Sequence, residues 1–354
     1  MSWVESVWHG RGAAAAVARA ALAPLSAVYG TVIAARNARY DRGLGVHAVA
    51  CPALSVGNLT VGGTGKTPVA AWFARALQAG GGRPALVMRG YGDDEWRVHA
   101  LLSPTVPVVR DADRVRGIAS AAAAGADCIV LDDAFQHRRA QRVVDVVLVA
   151  ADGWTGDVRL LPSGPYREPL ASLRRADLVV ITVKSATAAE IDAARTAVRA
   201  ALGSERPVAV MALEADALQQ VTPTLEATAS APLARLAAGR PVLAISAIGD
   251  PAAFERSLTA AGASILSRRF RDHHPFSEAD AHALAHAVPA GGVAVCTLKD
   301  AVKLAPLWPH AVQPLWYLSQ TPVVRDGADA LAGAVQQVLA ARRTASPTTR
   351  FTAG

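Results

Sequence analysis

A mixed α/β fold with two lobes and an N-terminal helix is the fold class that this 354-residue sequence predicts. Short apolar runs alternate with segments of helical spacing along most of the chain. This alternation is typical of a parallel sheet covered by helices on both faces. Hydrophobic residues make up 52% of the chain and aromatic residues only 5%, so an extensive aliphatic core can form. A chain of this length can hold two domains.

The first alternating series predicts a lobe over residues 44–212. Its expected strands are 52–57, 84–89, 127–132, 143–150 and 177–183. Its expected helices lie near 67–79, 113–124 and 168–175. Because ligands bind at the carboxyl ends of parallel strands, the residues that follow these strands are the candidates for a functional site.

A second, smaller α/β lobe is expected over 213–342, followed by a loose Thr/Ser/Pro-rich tail at 343–354. Its series has expected strands at 207–212, 241–247, 264–270, 292–297 and 313–318. The expected helices lie near 187–201, 250–262, 276–287, 298–305 and 325–342. The polar, Thr- and Ala-rich segment 213–232 is expected to form the transition between the lobes.

Residues 1–43 predict a basic N-terminal helix. Apolar residues recur there at helical spacing, and arginines flank them. The uninterrupted apolar part, 20–35, is shorter than the roughly 20 residues that a membrane span needs, and Pro24 interrupts it. We therefore expect a helix that lies in the membrane interface. A buried helix packed on the first lobe is the alternative.

The glycine-rich stretch V-G-N-L-T-V-G-G-T-G-K-T at 56–67 lies between a predicted strand and a predicted helix. This order is typical of a loop that binds nucleotide phosphates, the P-loop. Lys66 is expected to reach the β- and γ-phosphates of ATP, and Thr67 to hold Mg²⁺. An ordinary glycine-rich turn is the alternative. The predicted nucleotide-binding residues are Thr60, Val61, Gly62, Gly63, Thr64, Gly65, Lys66 and Thr67.

Carboxylates follow two other predicted strands of the first lobe. Asp132 and Asp133 end the strand at 127–132, where a Walker B carboxylate contacts Mg²⁺. Asp93 and Asp94 follow the strand at 84–89, and either could accept the proton of an acceptor hydroxyl. A solvated acidic turn is the alternative for this second pair.

Further polar motifs follow turns and strands later in the chain. Arg167 and Glu168 lie in a proline-rich turn, where they could hold phosphate or simply cap the turn. His273 lies in R-D-H-H-P, and it could pair with a carboxylate of the first lobe. Lys299 and Lys303 share a helical face, where they could attract phosphate or be solvated.

The net charge of +7 favours an anionic partner, which could be a phosphorylated substrate, a membrane surface or nucleic acid. The sequence contains no zinc-binding Cys/His pattern and no strong nucleic-acid-binding motif, so nucleic acid is not the expected partner. The three cysteines have no metal-ligand spacing, which is typical of packing residues in a reducing compartment.

Six stretches in this order resemble the tetraacyldisaccharide 4′-kinase family, over most of the chain. They are V-G-N-L-T-V-G-G-T-G-K-T-P (56–68), R-G-Y-G (89–92), L-D-D-A-F-Q-H-R-R (131–139), L-P-S-G-P-Y-R-E-P-L (161–170), F-R-D-H-H-P-F (270–276) and T-L-K-D-A-V-K-L (297–304). The resemblance implies ATP-dependent phosphorylation of the 4′-hydroxyl of an acylated glucosamine disaccharide 1-phosphate. It also implies two Rossmann-like lobes that hinge around the nucleotide, and a helix at the cytoplasmic face of the inner membrane, peripheral or N-terminally anchored.

The resemblance also implies roles for individual residues. Asp94 matches the catalytic base and His273 its assistant, while Lys66 acts on the transferred phosphate. Mg²⁺ is expected on Thr67, Asp132 and Asp133. The expected substrate residues are Tyr91, His137, Arg167 and Glu168.

The sequence departs from the family pattern at the expected base. The family motif Gly-Asp-Glu-Pro reads Asp93-Asp94-Glu95-Trp96 here, so the choice between Asp94 and Asp93 stays open. Two other functions also stay open. One is a partitioning or metallochaperone-type ATPase, although Val61 replaces the signature lysine of that loop. The other is a non-catalytic, membrane-bound nucleotide sensor.

Overall fold

The computed structural model describes residues 3–90, 94–203, 205–237 and 239–344. Its helices are α1 (Trp3–His9), α2 (Ala13–Asp41), α3 (Lys66–Ala79), α4 (Glu95–Leu102), α5 (Arg114–Ala123), α6 (Ala188–Leu202), α7 (Pro251–Ala260), α8 (Glu278–His286), α9 (Leu298–Leu304) and α10 (Ala328–Thr344). Its strands are β1 (Ala53–Asn58), β2 (Pro84–Met88), β3 (Val108–Arg110), β4 (Cys128–Asp132), β5 (Val144–Ala150), β6 (Leu178–Val183), β7 (Val208–Val221), β8 (Ala227–Pro232), β9 (Pro241–Ser246), β10 (Ser264–Arg269), β11 (Val293–Thr297) and β12 (Leu315–Asp326). Short 3-10 helices occupy Leu170–Arg175, Leu233–Leu236 and Ala305–Leu307.

The chain forms two compact units. Unit 1 comprises Met1–Gly90, Thr105–Met211 and Val324–Gly354, and unit 2 comprises Tyr91–Pro104 and Ala212–Val323. The sequence analysis expected lobes at 44–212 and 213–342, whereas the change of unit inside β7 follows Met211 and the segment Val324–Gly354 belongs to unit 1. The segment Tyr91–Pro104, which the sequence analysis placed in the first lobe, belongs to unit 2. Local sequence could not reveal this, because it depends on which distant core the side chains of α4 join.

The sheet of unit 1 is parallel and has the strand order β3-β2-β4-β1-β5-β6. Its central strands β1, β2 and β4 are buried at every position, as expected for a sheet with both faces covered. Val56 of β1 pairs with Asp132 of β4. This register brings the start of the glycine-rich loop next to the predicted Walker B carboxylate.

Unit 2 contains a second parallel arrangement, with the order β10-β9-β11-β12. Its core is formed by aliphatic side chains of these strands together with α8 and α9. Leu101 of α4 packs against this core. That contact explains why Tyr91–Pro104 is part of unit 2.

The mixed α/β class and most of the expected elements are confirmed. One expected helix, 168–175, is instead a 3-10 helix at Leu170–Arg175, and neither α4 nor β3 was predicted. The segment 213–232, which is the expected transition between the lobes, contains the end of β7 and the whole of β8, and these two strands pair in an antiparallel hairpin. The first six residues of β7 are buried, and its polar residues lie in the later part of the strand, where most positions are half-buried or exposed. The expected tail after Arg343 lies almost wholly outside the described residues.

Within the expected N-terminal helix of residues 1–43, α2 occupies 29 residues and continues through Pro24, which the sequence analysis took to interrupt the apolar run. A proline removes one donor from the helix, and in an exposed helix water can satisfy the carbonyl left without a partner. Among the residues that the structure describes, α2 is long and apolar enough to cross a membrane, with a mean hydropathy of 1.5 over its best 18 residues. A signal sequence or a soluble core helix can meet the same two criteria.

Candidate active site

The glycine-rich loop connects the buried strand β1 to α3, which begins at Lys66. Its positive φ angles fall on Gly62 (122°) and Gly65 (81°), where a side chain would strain the backbone. The P-loop motif G-x-x-x-x-G-K-[ST] has glycine at the position of Thr60, but Thr60 does not have a positive φ, so the replacement is tolerated. The two positions of the loop that need a left-handed backbone are therefore both glycine, despite the altered motif.

Lys66 lies close to the residues expected to act with it. Its Nζ donates a hydrogen bond to Asn58 Oδ1 at 3.2 Å and lies 3.7 Å from Asp133 Oδ1. Asn58 is the last residue of β1 and is fully buried. The ammonium group is thus held at the carboxyl edge of the sheet, next to the loop.

Arg167 joins the glycine-rich loop to the segment after β4 through all five of its donor positions. Nε donates to Thr60 O at 3.0 Å, and the terminal nitrogens donate to Asn58 Oδ1 at 2.8 Å and Gln136 Oε1 at 3.2 Å. The same nitrogens donate to both carboxylate oxygens of Asp133, at 3.1 and 3.2 Å. A planar guanidinium can satisfy this set of acceptors, whereas an ammonium group cannot.

Asp133 adopts a left-handed backbone conformation, with φ of 48°, which an aspartate tolerates better than most residues. Burial opposes ionisation of its carboxylate, but the charges of Lys66 and Arg167 and the hydrogen bond from Arg167 outweigh burial and hold its pKa below the ordinary value. Asp133 is therefore an anion that organises two cations of the site.

Asp132, the neighbouring carboxylate, ends β4 and is buried, with 6% of its surface exposed. Gly57 of β1 allows the following turn to approach, since a Cβ there would lie 2.6 Å from Cβ of Phe135. Mg²⁺ prefers oxygen ligands, usually one or two carboxylates together with phosphate oxygens. The hydroxyl of Thr67 and the carboxylate of Asp132 fit this chemistry. Asp133 fits less well, because Arg167 already engages both of its oxygens.

Glu168 lies beneath the site instead of facing it. Its side chain is fully buried, and Oε2 accepts hydrogen bonds from Asn37 Nδ2 and Arg175, each at 2.8 Å. Arg175 also lies over the ring of Phe135, 4.5 Å from its centroid. Asn37 and Arg175 line a cavity of about 250 Å³ between α2 and Leu170–Arg175. These contacts join α2 to the turn that carries Arg167.

His137 is partly buried after β4, and its Nε2 has no hydrogen-bond partner among the residues that the structure describes. Burial, followed by the charges of Arg114 and Arg142, lowers the pKa of His137 to about 4. The imidazole is therefore neutral at physiological pH. A neutral ring can offer a hydrogen bond, but it cannot supply positive charge to a phosphate.

The expected base and its histidine lie together in unit 2. His273 Nδ1 is 4.0 Å from Asp94 Oδ2, and Lys303 Nζ is 3.2 Å from the same oxygen. Asp94 immediately precedes α4, and its side chain is 15% exposed. His273 has a left-handed backbone with φ of 57°, and its N–H donates to Ala247 O. Lys303, for which the sequence suggested phosphate or solvent, instead forms an ion pair with Asp94.

The expected residues thus form two groups, one in each unit. Unit 1 brings together Lys66, Asp133 and Arg167, and unit 2 brings together Asp94 and His273. Tyr91 and Asp93 lie outside the described residues. Sequence reasoning missed the roles of Asn58 and Gln136 in the contacts of Arg167. Both residues lie inside the recognised motifs, but only their hydrogen bonds distinguish them from neighbouring polar residues.

Known proteins match this chain over most of its length. A family model described as LpxK, tetraacyldisaccharide-1-P 4′-kinase, matches residues 18–340. The tetraacyldisaccharide 4′-kinase of Anaeromyxobacter sp. strain Fw109-5 is 40% identical over 337 residues, which cover 86% of this chain and 88% of that protein. The protein of the same name from Anaeromyxobacter sp. strain K is 37% identical over 384 residues, covering 99% of each chain.

A solved structure is similar over nearly the whole chain. It is the crystal structure of the "apo" form of LpxK from Aquifex aeolicus in complex with ATP, which superposes with a TM-score of 0.72 and 27% identity. The match covers 90% of this chain and 99% of that one. The family, the fold class and the enzyme class that the sequence predicted are confirmed by these matches. The chain belongs to the tetraacyldisaccharide-1-P 4′-kinase family.

Proposed function

We propose that this chain carries out its family's reaction with ATP on residues 60–67 of unit 1 and with Asp94 of unit 2 as the base. As a member of this family, it is an ATP-dependent kinase that phosphorylates the 4′-hydroxyl of a tetraacylated glucosamine disaccharide 1-phosphate. Neither the partitioning-type ATPase nor the nucleotide sensor is favoured by the family match.

The contacts of Arg167 are the observation that supports the nucleotide site. They connect the glycine-rich loop, the end of β1 and the turn after β4, which are the segments that bind the triphosphate in P-loop proteins. Lys66 would contact the β- and γ-phosphates. Thr67 and Asp132 would hold Mg²⁺, which neutralises charge on the phosphate oxygens when it is bound.

In the transfer step, the 4′-oxygen attacks the γ-phosphorus and the bond to the β,γ-bridging oxygen breaks, so that ADP leaves. Asp94 accepts the proton of the hydroxyl as the new P–O bond forms. Lys303 and His273, at 3.2 and 4.0 Å from Asp94 Oδ2, would hold its carboxylate in position. Of the other expected substrate residues, Arg167 and Glu168 would act by positioning, since their side chains contact protein groups.

Helix α2 supports a proposed location at the membrane surface. Its polar residues Ser26 and Asn37 are buried against unit 1, whereas its apolar residues Val17, Val28 and Val32 are 59–69% exposed. On a water-soluble domain, a surface helix turns its apolar face towards the core and its polar face towards water, and α2 does the reverse. An apolar face beside arginines suits the interface of an anionic bilayer. We propose that α2 attaches the enzyme, peripherally or as an anchor, to the cytoplasmic face of the inner membrane.

Transfer of ³²P from ATP to the acylated disaccharide 1-phosphate in detergent micelles tests the proposal. The wild-type protein should transfer label to the 4′-position, and Lys66→Met should abolish transfer while the protein remains folded. Folded wild-type protein that transfers no label would contradict the activity. A fully active Lys66→Met variant would instead contradict the proposed nucleotide site.

A further inference from the structure

The end of β6 contacts carbonyls of the glycine-rich loop other than the one that Arg167 contacts. Thr182, the penultimate residue of β6, donates from Oγ1 to Thr64 O at 3.0 Å. Lys184, just after β6, donates from Nζ to Gly63 O at 2.8 Å. Two consecutive carbonyls of the loop are thus held by side chains from one strand end.

These contacts determine how the loop presents its amide groups. The carbonyl of one residue and the N–H of the next share a rigid peptide plane and point in opposite directions. Fixing the carbonyls of Gly63 and Thr64 therefore fixes the directions of the N–H groups of Thr64 and Gly65. In a P-loop, N–H groups of this part of the turn bind phosphate oxygens. The N–H of Thr64 donates to Gly62 O at 3.1 Å, so the N–H of Gly65 is the donor that we expect to meet phosphate.

The strand end that makes these contacts is itself held in place. Asp152, which follows β5, accepts hydrogen bonds from the backbone N–H of Lys184 at 3.0 Å and of Ser185 at 2.6 Å. Ala150 of β5 pairs with Thr182 of β6. The lysine therefore extends from a fixed backbone to the loop.

We propose that Lys184 and Thr182 are positioning residues that hold the glycine-rich loop in its ATP-binding conformation. This inference rests on the proposed placement of ATP on residues 60–67. Lys184 contributes a charge-assisted hydrogen bond to a backbone carbonyl, and Thr182 contributes a buried neutral one. Loss of either residue should weaken ATP binding, because the loop is then less well held. Neither residue has a part in proton transfer, so the chemical step should be unchanged.

Three variants test this role through the Kd of ATP, measured calorimetrically, and through KM and kcat. Lys184→Met keeps the aliphatic side chain but removes the donor, and it should raise the Kd and KM for ATP about 5- to 10-fold with kcat within about twofold. Lys184→Arg keeps a charged donor and should restore most of the affinity. Thr182→Val removes only the hydroxyl and should raise the Kd about 3- to 10-fold.

Arg174→Met is the matched control, because Arg174 is also exposed and donates to a backbone carbonyl, that of Ala201 at 3.1 Å. It should leave the Kd for ATP unchanged. A Kd for Lys184→Met equal to that of the control would overturn the inference. So would a loss of affinity in Lys184→Met with none in Thr182→Val, since this pattern indicates direct contact with the nucleotide.

Lys66→Met separates failure of this inference from failure of the nucleotide site. If Lys66→Met loses ATP binding while Lys184→Met and Thr182→Val retain it, only the positioning role is rejected. If Lys66→Met binds ATP as well as the wild type does, the placement of ATP on residues 60–67 is rejected, and the positioning role with it. Thermal unfolding of each variant shows whether a loss of affinity reflects a loss of fold.

Discussion

Arg167 shows how one residue can determine the arrangement of a site. It donates to acceptors on the loop, on β1 and on the turn after β4, and it neutralises Asp133 beside Lys66. Tyr29 of α2 also donates to the carbonyl of Arg167 at 3.0 Å. The geometry of these contacts depends on a planar group with several donors, so positive charge alone is not sufficient.

Replacing Arg167 with lysine tests this dependence. Lys retains the charge but can satisfy only part of the acceptor set, so kcat/KM for ATP should fall at least about tenfold. Arg174→Lys, a matched change at an exposed arginine of the same unit, should have no effect. If Arg167→Lys has the kinetics of the wild type, the five hydrogen bonds that Arg167 donates are not needed for activity.

His137 should make stability depend on pH. Its pKa is about 4 in the folded protein and about 6.5 when unfolded, so only the unfolded state gains the proton between these values. The free energy of unfolding should therefore fall as the pH decreases from 6.5 towards 4, and this effect should saturate below pH 4. Between pH 7 and 5 the contribution of His137 is roughly 1–2 kcal/mol.

The variant His137→Gln, which cannot titrate, isolates this contribution. Urea unfolding at pH 7 and at pH 5 should show a smaller loss of stability for His137→Gln than for the wild type. His282→Gln, which changes an exposed histidine of α8, should behave as the wild type does. Equal losses in the wild type and in His137→Gln would mean that His137 is not buried in the neutral form.

At the scale of elements, α2 is bound to unit 1 by its polar residues. Ser26 bonds to Ser163 at 2.8 Å, and Asn37 bonds to the buried Glu168. Apolar residues remain on the outer face, with Leu25 58% and Val28 61% exposed. Since water does not favour such a face, we expect lipid to cover it.

Leu25→Asp/Val28→Asp should remove this affinity for lipid. The variant loses apolar surface and gains negative charge, so its partition onto anionic phosphatidylglycerol vesicles should fall at least about tenfold in a sedimentation assay. The control is Val312→Asp, which changes a residue of unit 2 that is 59% exposed. Equal losses in the variant and the control would indicate a general effect of charge.

At the scale of the whole molecule, the proposed roles are divided between the units. The proposed ATP-binding residues belong to unit 1, whereas Asp94 belongs to unit 2, where it contacts Lys303 and His273. Binding of ATP and proton transfer should therefore respond to different substitutions. The segment Tyr91–Pro104 carries Asp94 into unit 2 although it interrupts the sequence of unit 1.

Asp94→Asn should lower kcat about 10²- to 10⁴-fold, because the amide cannot accept the proton, while the Kd for ATP should change less than about twofold. Lys66→Met, by contrast, should lose its affinity for ATP in a binding assay. Asp93→Asn is the matched control for Asp94→Asn. If Asp93→Asn loses the activity and Asp94→Asn keeps it, the base is Asp93.

Much of the fold could be predicted because its signals are local. Buried parallel strands are continuous apolar runs, and helices have their own spacing, so eight of the twelve described strands were predicted to within a few residues. The errors lie where local signals conflict with packing. Residues 213–232 have the polar composition of a linker, but the first of them extend strand β7. Helix α4 has only eight residues of mixed polar and apolar type, so its sequence does not predict a helix, and its place is set by packing in unit 2.

The candidate site was predictable only in part. The chain order of the motifs made Lys66, Asp133 and the pair Asp93 and Asp94 candidates, because phosphate loops and carboxylates follow strands in a fixed order. The contacts of Arg167 were not identifiable, since it joins groups more than 100 residues away in the chain. Lys184 belongs to no recognised motif, and only its bond to Gly63 O identifies it.

By itself, the sequence determined the α/β class, the family and the loop that is proposed to hold ATP. These depend on apolar periodicity and on glycines at particular positions, which are properties of short segments. Only the tertiary structure decided that α2 turns its polar side inward, that Glu168 is buried, and that Lys303 pairs with Asp94. Such features depend on which distant side chains meet, and no local pattern contains that information.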